Sequence, residues 1–278
     1  MKLKNKKVFV TGGAGFIGSN LVDELAEDNF VVVLDDFSSG KRENLSQHKD
    51  NENVQIIEGD IRNKELMFEI LRGIDVLFHL AVRCLRVSIS DPEINHEVNA
   101  TGTLNLLLAA KENNVSRFVY VSSSEVYGTA KKVPMKEDHP KEPMTVYGAS
   151  KLTGELYAKA FFNVYGYPVI IVRPFNTYGP REHFEGPYGE VIPRFFVRVL
   201  NNKPPVIFGT GKQTRDFTYV SDSVKGIILA AESDELIGDA VNIAYGKEVS
   251  INEIAELVIK TTGKDSIRPV YEKERPGD

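Results

Sequence analysis

Val8-Phe9-Val10-Thr11-Gly12-Gly13-Ala14-Gly15-Phe16-Ile17-Gly18 is the stretch that decides the fold. A short β-branched run enters a glycine-rich turn and passes directly into residues 16–27, whose apolar positions recur at helical spacing. Gly12, Gly15 and Gly18 form a G-x-x-G-x-x-G pattern. The first two let the backbone turn tightly and come close to a pyrophosphate, and Gly18 lets the helix pack against the strand. A helix starting there aims unpaired N–H groups and its positive dipole end at the phosphates. Glycine spacing alone is weak, because turns also collect glycine.

The rest of the chain supplies the context. Apolar runs at residues 31–34, 54–57, 76–80, 118–121 and 169–172 follow the one at 8–10. They are nearly continuous, as in strands buried on both faces of a parallel sheet. Helical patterns at 64–71, 92–112 and 146–165 lie between them. This alternation predicts an α/β fold, a doubly wound parallel sheet of Rossmann type. After Pro174 the texture changes: glycine, proline and asparagine cluster at 175–189 and 201–211, with helical patterns at 191–200, 221–231 and 251–262. The expected organisation is a dinucleotide-binding domain over residues 1–174 and a smaller α/β substrate lobe over 175–278.

An acid about 20 residues beyond the glycines belongs at the adenosine ribose. Leu34-Asp35-Asp36 ends the second run, and Asp35 there would accept both ribose hydroxyls and repel a 2′-phosphate, which favours NAD over NADP. Lys41 and Arg42 are a mild counter-signal, or else solvated loop charges. Asp60 is placed either to reach the adenine amino group or to cap a helix.

Composition narrows the function. The 278 residues carry a net charge of −5, so no basic field exists to hold nucleic acid or an acidic membrane. One cysteine, Cys84, allows no internal disulfide and fits a reducing compartment. The basic start is followed by an apolar run too short for an export signal, and no apolar stretch approaches the roughly 18 residues of a membrane span. The expected location is cytoplasmic. The five histidines lack ligand spacing, and no metal site is expected.

Tyr147 and Lys151, four residues apart on a predicted helix, share one face. A phenol is a poor base at neutral pH. An ammonium about 4 Å away would contribute on the order of 4 kcal/mol at an effective dielectric near 20, roughly three pKa units before desolvation opposes it. Tyr147 is then suited to acid/base work on a sugar hydroxyl beside a nicotinamide. The run Val121-Ser122-Ser123-Ser124-Glu125 ends a predicted strand, and such ends face the ligand crevice.

Thr11–Gly18, Ser123 with Tyr147-x-x-x-Lys151, Arg173-Pro174-Phe175-Asn176-Thr177-Tyr178-Gly179-Pro180-Arg181 and Gln213-Thr214-Arg215-Asp216-Phe217 occur in that order. With these motifs the whole chain resembles the extended short-chain dehydrogenase/reductases, in their NAD-dependent nucleotide-sugar epimerase/dehydratase branch. The resemblance implies Ser123, Tyr147, Lys151 and Glu125 as catalytic residues. It implies NAD contacts from Gly12, Gly15, Phe16, Ile17, Gly18, Asp35, Asp36, Ser38, Gly40, Asp60, Ile61, Leu80, Ala81, Asn99, Ser122, Lys151 and Pro174. Substrate contacts would come from Ser124, Asn176, Val191, Ile207, Phe208 and Arg215, and from Arg275 and Asp278 of an Arg-Pro-Gly-Asp motif. Further residues normally follow that motif, so a tail beyond Asp278 is expected.

The family opens by oxidising C4 of a nucleotide sugar. The reading favoured here is a 4-epimerase acting on a UDP-hexose or UDP-uronic acid. Glu125 keeps a UDP-glucuronate decarboxylase or a 4,6-dehydratase open, since those relatives carry glutamate at this position. Its other reading is a salt bridge or N–H contact at the sheet edge. Arg83 and Arg86, in a segment that departs from the family, either hold a carboxylate or phosphate or pair with Glu93 or Glu97. A plain alcohol or steroid dehydrogenase would not need the diphosphate set, and a non-catalytic NAD sensor would not need the Tyr/Lys pair. By analogy with the family a homodimer is expected, built from residues 92–112 and 146–165.

Overall fold

The computed structural model describes residues 1–274; Arg275 and Asp278, expected to contact substrate, lie outside the described residues. Six strands alternate with helices through the first part of the chain: β1 (Lys7–Thr11), β2 (Phe30–Asp35), β3 (Val54–Glu58), β4 (Val76–His79), β5 (Arg117–Val121) and β6 (Val169–Pro174). Then come β7 (Asn176–Tyr178), β8 (Val206–Phe208), β9 (Thr214–Tyr219), β10 (Ala240–Ile243), β11 (Glu248–Ser250) and β12 (Val270–Glu272). A seven-stranded parallel sheet runs β10-β6-β5-β4-β1-β2-β3. The strand order reverses between β1 and β4, and a crevice opens at their carboxyl ends.

The helices are α1 (Phe16–Ala26), α2 (Lys64–Ile70), α3 (Leu85–Ser90), α4 (Pro92–His96), α5 (Thr103–Glu112), α6 (Val146–Tyr165), α7 (Val191–Leu200), α8 (Val220–Glu232) and α9 (Ile251–Thr261). Period-2 alternation splits each central strand between two cores. Val8, Val10, Val31, Val33, Val119 and Val121 face Leu21 and Leu25 of α1 and Val224 and Ile227 of α8. Phe9, Val32, Leu34, Leu77 and Phe118 face Met67 of α2, Leu106 and Leu107 of α5, and Ala158 and Phe161 of α6. Two-sided burial is what makes these runs continuously apolar. β3 departs from that expectation: at the sheet edge, Gln55 and Ile56 are exposed.

Three local features were not anticipated. The predicted helix over 92–112 is α4 and α5 joined by a π-helical turn, Glu97–Gly102. The segment after β4 forms the short α3, ahead of the Asp91 cap and Pro92 that start α4. The later part of the chain has its own small sheets, β11-β9-β7 and β12-β8, around Phe195, Val199, Ile207, Ile254 and Val258. Yet α8 and β10 return to the main sheet, β10 pairing with β6, so chain beyond 174 also completes the first core.

Candidate active site

At the turn after β1, Gly12 holds φ +70°, and its N–H donates to the Leu34 carbonyl at 2.8 Å. A Cβ on Gly12 would sit 2.7 Å from the Ala81 nitrogen, and one on Gly18 would sit 2.1 Å from the Gly12 carbonyl oxygen. Both contacts are with backbone, which cannot yield. Gly18 therefore packs the helix onto the turn, as expected, while Gly12 lets the turn lie against β4's exit. Gly15 starts α1 without any side-chain cap, which leaves first-turn N–H groups directed at the crevice. This cradle fits a dinucleotide pyrophosphate.

Asp35 is buried at the end of β2. Its Oδ2 accepts the Ala14 N–H and its Oδ1 the Phe37 N–H, both at 2.9 Å. Burial raises its pKa and these two hydrogen bonds oppose the rise. Each oxygen keeps a lone pair for a ribose hydroxyl. Lys41 meets Glu185 at 3.4 Å, and Arg42 pairs with Glu58 and stacks on Phe37. Acids thus already engage both cations, as suits a site without a 2′-phosphate. Asp60 caps no helix; that role falls to Asn63, whose side chain accepts the Leu66 N–H. The Asp60 carboxylate lines the crevice and grips Arg62 at 2.7 and 2.9 Å.

One cavity of about 700 Å³ runs from this cradle to the small sheets, within the usual range for cofactor and ligand sites. It gathers almost every predicted contact among the described residues. Gly40 and Asn99 are exceptions that do not line it. Gly40 packs on the Asp35 carboxylate, 2.8 Å from where a Cβ would stand. Asn99, in the π-helical turn, accepts the Arg83 N–H at 2.8 Å and donates to the Arg83 carbonyl at 3.1 Å, holding that peptide from behind.

Thr145 caps α6, accepting the Gly148 N–H at 3.1 Å, and so fixes the first turn that carries Tyr147. Gly148 lies against the Glu125 carbonyl, where a Cβ would stand 2.6 Å from the oxygen. This close approach sets the start of α6 against the serine turn, and Tyr147 and Ser123 line the same cavity. Ser123 also accepts the Glu125 N–H at 3.2 Å. Lys151 is buried, with Nζ donating to the Val121 carbonyl at 2.6 Å and lying 4.6 Å from the centre of the Tyr120 ring.

The expectation that the ammonium governs the phenol is revised. Burial pushes the Tyr147 pKa up; the neighbouring Ser123 hydroxyl opposes this and the Glu125 charge adds to it. Burial also lowers Lys151 to about 7, against the pull of Glu155. Desolvation weakens the charge that was expected to act.

On the substrate side, Ser124, Glu125, Asn176, Val191, Ile207, Phe208 and Arg215 line the same cavity. Asn176 opens β7 in register with Phe217 of β9, while the Asp216 carboxylate accepts the N–H groups of Tyr245, Gly246 and Lys247. Arg83 and Arg86 pair with neither Glu93 nor Glu97. Arg83 donates to Asp36 Oδ2 at 2.8 Å, and Arg86 lies 3.6 Å from Glu190. Chain folding brings distant acids to them, while Glu97 is taken by Arg62 at 2.7 Å.

Sequence reasoning missed a buried polar group beneath the catalytic face. Glu155, one turn beyond Lys151, accepts Arg173 Nε and Nη2, each at 2.8 Å, and Ser122 Oγ at 2.6 Å. Arg173 also donates to the Tyr127 hydroxyl at 2.7 Å, which donates to Asn242 Oδ1 at 2.7 Å. The available signal was a glutamate on the Tyr/Lys face of α6 and an arginine closing an apolar strand.

Comparison with known proteins agrees with this geometry. The sequence model of the NAD dependent epimerase/dehydratase family matches residues 8–244. The UDP-glucose 4-epimerase of Mycolicibacterium smegmatis is 35% identical over 276 residues, covering 98% of this chain and 87% of that protein. A UDP-N-acetyl-alpha-D-glucosaminuronate decarboxylase of Bacillus cytotoxicus is 37% identical, covering 98% and 85%. Among solved structures, the UDP-N-acetylglucosamine 4-epimerase of Methanobrevibacter ruminantium, in complex with UDP-N-acetylmuramic acid, superposes with a TM-score of 0.93 at 41% identity, covering 99% and 87%.

Proposed function

The chain belongs to the NAD-dependent epimerase/dehydratase family, and from that membership we propose that it is a 4-epimerase of a UDP-linked hexose or uronic acid. The observation that carries this reading is that Ser123, Tyr147 and Lys151 line the same cavity as the Gly12–Gly15 cradle, Asn176 and Arg215. Bound NAD supplies the acceptor and donor for the C4 hydride. Tyr147 takes the O4 proton as C4 becomes a ketone and returns it when the opposite face is reduced. Ser123 orients that oxygen, and Lys151 offers the positive charge that favours the phenolate. Gly12, Gly15 and the start of α1 hold the pyrophosphate, and Asp35 holds the ribose. Asn176 and Arg215 meet the substrate diphosphate, with Val191, Ile207 and Phe208 around the base. Arg275 and Asp278 are assigned to the diphosphate from their motif.

One observation favours a second reading. Glu125 lines the cavity close enough for its charge to raise the Tyr147 pKa. A carboxylate there suits removal of a C5 proton, or the uronate chemistry of a decarboxylase. The deciding experiment incubates the NAD-loaded protein with UDP-glucose, UDP-N-acetylglucosamine and UDP-glucuronate, followed by mass spectrometry and NMR. The expected result is an unchanged mass with new axial C4 signals, retained in Glu125→Ala and lost in Tyr147→Phe. Loss of water or carbon dioxide, abolished by Glu125→Ala, would overturn the epimerase assignment.

No helix among the described residues is long and apolar enough to cross a membrane. A cytoplasmic location is supported by the single cysteine and the acidic balance. A homodimer is supported by the α4–α5 and α6 pair, where Leu156 and Val164 remain exposed.

A further inference from the structure

We propose that Glu155 and Arg173 are a positioning pair for the Ser-Tyr-Lys face: Glu155 anchors the serine turn after β5 and supplies the buried counter-charge to Lys151, while Arg173 holds Glu155 in place. The inference rests on the acid/base reading of Tyr147 and Lys151.

The geometry places Glu155 where three elements meet. Its carboxylate belongs to α6 at i+4 from Lys151, on the same helical face. One oxygen takes Ser122 Oγ from the end of β5 and Nε of Arg173 on β6; the other takes Arg173 Nη2. Both side chains of the pair are at most 4% exposed. Ser122 lines the cofactor cavity and immediately precedes Ser123. A shift of the Glu155 carboxylate therefore moves the hydroxyl that Tyr147 needs. Arg173 is itself fixed from the far side by the Tyr127 hydroxyl and, at 3.3 Å, the Glu137 carbonyl.

Electrostatics point the same way. The groups facing Lys151 are the Val121 carbonyl and Tyr120 of β5, His79 of β4 and Glu155 of α6, with Arg173 of β6 behind Glu155 and Tyr147 one helical turn before Lys151. Burial and Lys151 both lower the His79 pKa, and its ring lies between Thr11 and Thr103 at 2.8 Å each, so it brings no negative charge. Glu155 is the group that favours the protonated Lys151. Without it Lys151 sheds its proton at lower pH, and the phenolate of Tyr147 loses support.

The test compares wild type, Glu155→Gln and Glu155→Gln/Arg173→Gln, the double variant sparing the fold an unpaired buried guanidinium. Turnover of whichever of UDP-glucose or UDP-glucuronate the wild type converts is measured across pH, with NAD affinity by calorimetry and thermal melting alongside. The expected result is a kcat reduced tenfold or more in both variants with KM within threefold. The alkaline limb of the kcat profile should move down by at least half a pH unit, and NAD should bind at least threefold more weakly. A double variant with wild-type kcat, pH profile and NAD affinity would show the pair to be scaffold only and overturn the proposal. Tyr147→Phe separates the two claims: full turnover there sinks the acid/base reading itself, whereas its inactivity with unmoved Glu155 profiles sinks only this inference.

Discussion

At the scale of single residues, two ionisable groups, the buried Lys151 and the half-buried Glu182, trade stability for placement. Lys151 keeps its proton to about pH 10 when unfolded but only to about 7 in the fold. The unfolded state then binds more protons between those values, so this group makes stability rise with pH across that window and costs most below it. Lys151→Met should therefore melt at a higher temperature than wild type at pH 6 while losing turnover; an unchanged or lower melting temperature would contradict the desolvation argument. Glu182, in the cavity wall, shows the opposite sign. Burial raises it to about 8, against the 3.2 Å hydrogen bond from the Gly179 N–H and with the Glu190 charge adding to the rise. Here the fold holds the extra proton between about pH 4.5 and 8. Its contribution is full at low pH and falls as pH rises, by up to about 1.4 kcal/mol per pH unit. Glu182→Gln should flatten that slope, raising the melting temperature at pH 8 more than at pH 4.5. Equal shifts at both would show that the carboxyl is not protonated in the fold.

At the scale of elements, α6 couples stability to chemistry because its cap and its acid/base residue share the first turn. Replacing an N-cap threonine by alanine costs about 1 kcal/mol. Thr145→Ala should lower the melting temperature by a few degrees and reduce kcat more than it raises KM, since fraying displaces Tyr147 from Ser123. Melting and steady-state kinetics on the same sample check both halves, and a stability loss with intact kcat would detach the cap from the site. The other end of α6 closes at Gly166, φ +64°, a conformation glycine adopts without steric cost. Both ends of α6 were readable, being set by adjacent residues. The π-helical turn at Glu97–Gly102 was not. Asn99, inside that turn, bonds to Arg83 and, at 3.0 Å, to Ser150, partners that periodicity does not record.

At the scale of the whole molecule, ion pairs tie the later segment around residues 181–190 to the NAD-binding half, among them Arg181 with Asp23, Glu185 with Lys41, and Glu190 with Arg86. The last two are exposed or half-exposed pairs of the kind that contribute little each. The proposed dimer face includes the exposed side of α6. Leu156 and Val164, eight residues apart on α6, are 61% and 70% exposed, apolar surface that a partner copy would cover. Leu156→Arg should convert a dimer seen by light scattering into a monomer without changing the circular dichroism. A wild type already monomeric at micromolar concentration would remove that face from consideration.

The sequence by itself determined the sheet's central strands, their helices, the glycine cradle and the Tyr147–Lys151 pair, because each follows from short-range rules. Two-sided burial makes parallel strands continuously apolar, tight turns need glycine, and four residues of helix return a side chain to the same face. Only the tertiary structure decided which charges meet. Glu155 finding Arg173, Arg83 finding Asp36 and β10 rejoining β6 across a long stretch of chain are products of packing. Burial then outweighed the helix-face argument at Lys151. A local pattern shows which groups are near in sequence, but desolvation depends on everything packed around them.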